Sequence, residues 1–160
     1  MSKAFTREDD DAPDERVRPR PNPALPPGAT NWVTADGFKR FQDELQSLKK
    51  QRSASTWTRE KEQQLVDLEY LLSTAEVVAG SNEPSAEVRF GSVVTVRDEA
   101  GDEQKYRIVG LDEADLDRCW VSWISPIARA LMGAKLGQRV KFRFPAGEKE
   151  LLIAAITEVG

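Results

Sequence analysis

The chain has no histidine and a single cysteine, Cys119, among its 160 residues. Without histidine the usual zinc sites lose a ligand, and one thiol cannot make an internal disulfide. The same absence removes the commonest general base and every Ser–His or Cys–His pair. No zinc site, histidine-based catalytic pair or cofactor is assigned on this composition. No apolar run approaches the roughly 18 residues that a spanning helix needs, so no membrane contact is expected. The opening stretch MSKAFTREDDDAP lacks the apolar core of a signal peptide, which points to the cytoplasm. Positive charge is not in excess either: 23 Lys and Arg stand against 27 Asp and Glu, a net charge of −4. That balance argues against gripping nucleic acid along the whole surface and favours a protein partner.

What is present is unevenly spread. Residues 1–30 hold six of the nine prolines among alternating charge blocks, with no hydrophobic period. Such a segment buries too little to offset its ordering entropy, so a disordered or extended arm is expected. The alternative is an arm that wraps on a partner or on its own domain, since proline-rich chain is cheap to order when extended. From Thr34, a candidate N-cap, Phe38, Phe41, Leu45 and Leu48 repeat at 3-4-3 spacing, and Leu65, Leu68, Leu72 and Ala75 do the same after a polar break at residues 51–58. The pattern predicts an antiparallel helical hairpin, a short coiled coil, over residues 31–79. Residues 80–88 read as a linker.

Beyond it the period changes to two. Strands are predicted at Val94–Arg97, Gln104–Val109, Arg118–Trp123, Arg139–Phe144 and Leu151–Val159, with turns at Ala100-Gly101-Asp102 and Ala146-Gly147. The run SPIARALMGAKLGQRV, residues 125–140, adds one short helix. Ser125 is its candidate N-cap, Pro126 suits the first helical position, and Ile127, Leu131 and Met132 share a face with Arg129 turned elsewhere. Gly133 supplies a left-handed stop. Residues 89–160 thus read as a small α+β domain, antiparallel-rich with one short helix.

Phe90-Gly91, Val94 to Val96, Tyr106-Arg107-Ile108-Val109-Gly110, Asp112-Glu113-Ala114-Asp115, the SPIARAL helix and Pro145-Ala146-Gly147-Glu148 occur in one order. In that order they resemble the C-terminal domain of the GreA/GreB transcript-cleavage factors, and residues 31–78 do so more loosely. The resemblance implies a helical hairpin followed by an FKBP-like α+β domain, and bacterial RNA polymerase as partner, with nucleic acid touched only indirectly through the polymerase complex. It implies docking at the rim of the secondary channel around the SPxAR helix start, which makes Ile124, Ser125, Pro126 and Arg129 the docking candidates. Ile124 replaces the usual acidic or amide residue there.

The same resemblance implies an acidic hairpin tip, in a motif like D-x-x-E-N, that helps hold a catalytic Mg²⁺. This chain departs from it. Its turn region carries Lys49, Lys50, Arg52, Arg59 and Lys61 against Glu60 and Glu62, and about a dozen residues are missing from each helix, a loss of roughly 18 Å in reach. Transcript cleavage is not expected. The acid pairs Asp43-Glu44 and Asp67-Glu69 read as solvated helix faces. Trp57 caps the apolar seam or anchors a partner. Trp120 and Trp123 fall on opposite faces of one predicted strand, and Cys119 in that strand reads as a small packed residue. The leading expectation is a noncatalytic, polymerase-binding elongation regulator. Alternatives are a short-hairpin protein of the regulator of nucleoside diphosphate kinase type and an FKBP-like peptidyl-prolyl isomerase.

Overall fold

The computed structural model describes residues 16–80 and 85–158; the remainder, including the first half of the expected arm, lies outside the described residues. Strand β1 (Asn31–Thr34) leads directly into helix α1 (Ala35–Gln51). The Thr34 side chain accepts a hydrogen bond from the Gly37 N–H at 3.1 Å, and Asp36 lies in the first turn. Helix α2 (Arg59–Thr74) starts the same way, with the Thr58 hydroxyl accepting from the Lys61 N–H. The helices meet through buried Leu45, Leu48, Leu65 and Leu68, with Phe41, Trp57, Val66 and Leu72 at the margins.

Two short strands close the hairpin's base. Strand β2 (Ala75–Val78) pairs in parallel with β1, from Asn31 opposite Ala75 to Thr34 opposite Val78. Ala75 was expected to continue the helical seam and instead opens this strand, at φ −69° and ψ 136°. β-branched Val77 and Val78 suit extended chain, and the ladder to β1 supplies hydrogen bonds that a further helical turn would have made internally.

The second unit is a five-stranded sheet ordered β5-β4-β3-β7-β6, built from β3 (Ser92–Arg97), β4 (Glu103–Val109), β5 (Trp120–Ser122), β6 (Arg139–Phe144) and β7 (Gly147–Glu158). All neighbours are antiparallel except β4 and β5. Helix α3 (Pro126–Leu131) sends Ala128 and Leu131 into a core with Val94, Val96, Ile108, Val121, Leu151 and Ile153. The fold is α+β, a helical hairpin followed by an antiparallel-rich sheet with one short helix.

Four sequence expectations need correction here. The strand predicted over Arg118–Trp123 shrinks to three residues, because Leu116–Arg118 forms a 3-10 turn and Cys119 sits at φ 56°, a left-handed conformation that cannot continue a strand. Cys119 is half-buried rather than packed in a strand, and the Gln104 side chain lies 3.0 Å from its Sγ. Val88, assigned to the linker, is buried in the sheet core, its N–H bonded to the Ala134 carbonyl at 2.8 Å. Strand β7 also begins earlier than predicted, at Gly147, so that Pro145 and Ala146 make a tight two-residue hairpin.

Candidate functional site

Two regions carry the residues singled out from sequence: the turn of the helical hairpin and the start of α3. At the turn, the Trp57 indole lies against the leucine cluster and its Nε1 donates to Glu62 Oε2 at 2.9 Å. Glu62 also takes Arg52, at 2.8 Å, across the turn. Lys61 Nζ donates to Gln51 Oε1 at 3.2 Å, and Lys49 stands 3.7 Å from Glu69 further down the helices. Lys50 and Arg59 are exposed on either side. Glu60, fully exposed at the start of α2, has its carboxyl held below the usual range by its own backbone N–H and by the Thr58 hydroxyl. Of the turn's two acids, Glu62 closes it, half-buried between Trp57 and Arg52, and Glu60 stays in solvent.

At α3, the Ser125 hydroxyl accepts from the Ala128 N–H at 3.3 Å and Pro126 occupies the first helical turn. Pro126 and Arg129 are exposed and Ile124 is half-buried, so the four candidates form one continuous stretch of surface and edge. The structure places them well apart in sequence and element from the hairpin turn. Trp123, directly before them, lies past the end of β5 and packs against Trp32 of β1 with ring centroids 4.7 Å apart.

Sequence reasoning missed the residues that join the two units. Glu113 is buried, and its carboxylate accepts from the Thr34 N–H at 3.0 Å, the Gly110 N–H at 2.8 Å and the Thr34 hydroxyl. Arg40 of α1 lies 3.9 Å away. A side chain at Gly37 would overlap that carboxylate, so the helix can approach it only as glycine. Beside this contact Trp120 is surrounded by three guanidinium groups, those of Arg40, Arg107 and Arg118, at 4.9–5.3 Å from the ring centroid. Arg107 also reaches Asp36 at 3.3 Å. Asp67, expected on a solvated face, is bound by Arg20 of the proline-rich segment through both backbone and side chain.

An open cavity of about 450 Å³ lies at the junction of the units, lined by Trp32, Phe90 and Met132 among others. On β4, burial pushes the Tyr106 hydroxyl above its ordinary pKa, with a smaller contribution from Cys119.

The family described as "Transcription elongation factor, GreA/GreB, C-term" matches residues 83–158, the sheet unit and its approach. Transcription elongation factor GreA of Rhodospirillum rubrum is 34% identical over 142 aligned positions, covering 73% of this chain and 90% of that protein. The chain belongs to the GreA/GreB family. Other GreA proteins are similar over a shorter span: that of Anaeromyxobacter sp. (strain K) is 41% identical over 99 residues, 61% of this chain and 60% of its own length. That of Vibrio parahaemolyticus is 45% identical over 94 residues, 58% of this chain and 60% of its own. This GreA/GreB chain therefore spans about three fifths of the length of those relatives. Among solved structures, the GreA factor homolog 1 protein of Thermus thermophilus aligns with 81% of the chain and 99% of its own at 22% identity and a TM-score of 0.42. The GreA/GreB factor of Nitrosomonas europaea aligns with 79% and 98% at 23% identity and a TM-score of 0.43.

Proposed function

We propose that this GreA/GreB-family chain is an RNA polymerase-binding regulator of transcription elongation that does not stimulate transcript cleavage. Docking near the secondary channel is assigned to the sheet unit through Ile124, Ser125, Pro126 and Arg129. The observation that carries the noncatalytic half of this reading is the hairpin turn. Helices of 17 and 16 residues give a reach of roughly 25 Å, and the turn they meet at presents Lys49, Lys50, Arg52, Arg59 and Lys61. A catalytic Mg²⁺ needs convergent hard oxygen ligands, whereas Glu62 is committed to Trp57 and Arg52. The Rhodospirillum alignment spans 142 positions with 73% of this chain, so about two dozen positions of that protein find no counterpart here, a deficit that a shorter hairpin would produce.

The test is binding to core RNA polymerase at modest salt, followed by a cleavage assay on a stalled elongation complex. Binding is expected from the full chain. It should weaken at least tenfold in an Ile124→Lys/Arg129→Glu variant, which leaves the Ser125 cap and Pro126 in place. RNA cleavage should not rise above the polymerase's own rate. Failure to bind polymerase overturns the function, and Mg²⁺-dependent stimulation of cleavage overturns the reading of the turn.

A further inference from the structure

The proline-rich segment bears on a second surface, remote from α3. Residues 16–30 form no helix or strand and run along α2. Arg20 holds Asp67 three times: its backbone N–H donates to Oδ1 at 2.9 Å, and its Nε and guanidinium NH2 donate to Oδ2 at 3.2 and 2.9 Å. Gln63, one turn earlier on α2, donates to the Arg18 carbonyl at 2.8 Å and steadies Asp67 at 2.9 Å. Asn22 reaches across to Asp112 of the sheet unit at 3.1 Å.

Beneath this segment is an open groove of about 880 Å³. Its walls outside the segment carry four acids, Glu44, Glu60, Asp67 and Asp112, and no lysine or arginine. Phe41 and Leu71 contribute to an apolar floor. Acidic walls over an apolar floor fit a ligand that alternates a forked cation with a rigid apolar ring. Guanidinium matches carboxylate in two-point geometry, and proline loses little backbone freedom on binding. The stretch Arg18-Pro19-Arg20-Pro21-Asn22-Pro23 has that chemistry.

We propose that the α2 face of this groove is a binding site for extended arginine- and proline-containing polypeptide, held in the free protein by the chain's own residues 18–23, which wall the open volume without filling it. A tethered segment acts at an effective concentration of roughly millimolar, so an outside ligand of the same chemistry enters only by displacing it. The arm is thus a built-in competitor for the groove, and the partner it excludes is a second arginine–proline segment.

The test uses the full chain. Arg20→Asp places like charges together at an exposed position and should free the segment without unfolding the protein, with far-ultraviolet circular dichroism as the control. A fluorescent peptide of residues 16–30, RVRPRPNPALPPGAT, is then titrated by anisotropy. It is expected to bind the Arg20→Asp chain at least tenfold more tightly than the unaltered chain, and not to bind Arg20→Asp/Asp67→Arg. Amide hydrogen exchange over residues 18–23 should be at least tenfold faster in Arg20→Asp than in the unaltered chain. Equal peptide binding by the unaltered and Arg20→Asp chains, binding by neither, binding that survives Asp67→Arg, or unchanged exchange each overturns the proposal.

Discussion

Glu113 joins the hairpin to the sheet unit with one carboxylate. Its side chain is 1% exposed, and it satisfies the Thr34 and Gly110 N–H groups at once. Removing it would leave two donors buried without partners. Glu113→Ala is expected to destabilise the chain by roughly 3 kcal/mol, read from urea unfolding, because each orphaned donor costs on the order of 1–3 kcal/mol. Glu113→Gln should cost less, since one amide oxygen can still accept. An equal loss from both variants would show that the carboxyl's acceptor capacity is not what matters. Sequence alone displayed Glu113 inside a motif and gave no hint of its role. Its partner Thr34 lies 79 residues away, and no local period or cap links the two. Thr34 as an N-cap was legible, because a cap is specified within four residues; that the same hydroxyl also donates to a buried acid was not. Trp120 shows the same limit. A strand pattern predicts that one tryptophan faces out, but the three arginines around it come from α1, β4 and the turn before β5.

Among the elements, the hairpin turn is the most self-contained. Trp57 packs on the leucine seam while its indole N–H holds Glu62, five residues on. Trp57→Phe keeps the ring and drops the hydrogen bond, with an expected loss of about 1 kcal/mol; Trp57→Ala also drops the packing and should cost about 3 kcal/mol. Thermal unfolding of the two variants separates seam from hydrogen bond: near-identical losses would remove the seam packing from the account, and no loss in Trp57→Phe would remove Glu62. The helices were legible from their 3-4-3 leucine spacing, and β6 from strict alternation of basic and apolar residues. Strands β1 and β2 were not, since four residues carry too little pattern and their pairing spans 44 positions. The proline-rich segment adds a pH dependence. Burial pushes Asp67 up, but hydrogen bonds from the Arg20 side chain and N–H and from Gln63, with the Arg20 charge, outweigh it and hold the carboxyl below 3.8. A depressed acid stabilises the state above its unfolded pKa, so this attachment is complete above pH 3.8 and lost as pH falls through the lower folded value. Carboxyl-resolved NMR should show Asp67 titrating below the ordinary aspartate value and the segment's amide shifts following it; an Asp67 titration at the ordinary value would contradict this.

For the molecule as a whole, connections of three kinds cross between the units among the described residues: the Glu113 network with Arg107–Asp36 and Arg40–Trp120 beside it, the Trp32 contacts with Phe90 and Trp123, and the Asn22–Asp112 bond from the arm. The first centres on a buried carboxylate at the hairpin base, the second is apolar, the third exposed. Chain-wide composition anticipated none of them, although it did anticipate two units of different period. The parallel pairing of β1 with β2 has one more consequence. Because Asn31 stands opposite Ala75, the chain enters and leaves the hairpin at neighbouring points, and the contacts made to the sheet unit by Trp32, Thr34, Asp36 and Arg40 lie at that base and in the first turns of α1. The hairpin is therefore a cassette whose length is free. Adding or removing one turn from each helix would move the basic tip by about 5 Å while leaving the strand pairing, Glu113 and α3 untouched. Reach and docking can be altered separately in this architecture, and a lineage can change what its tip touches without rebuilding what its base holds.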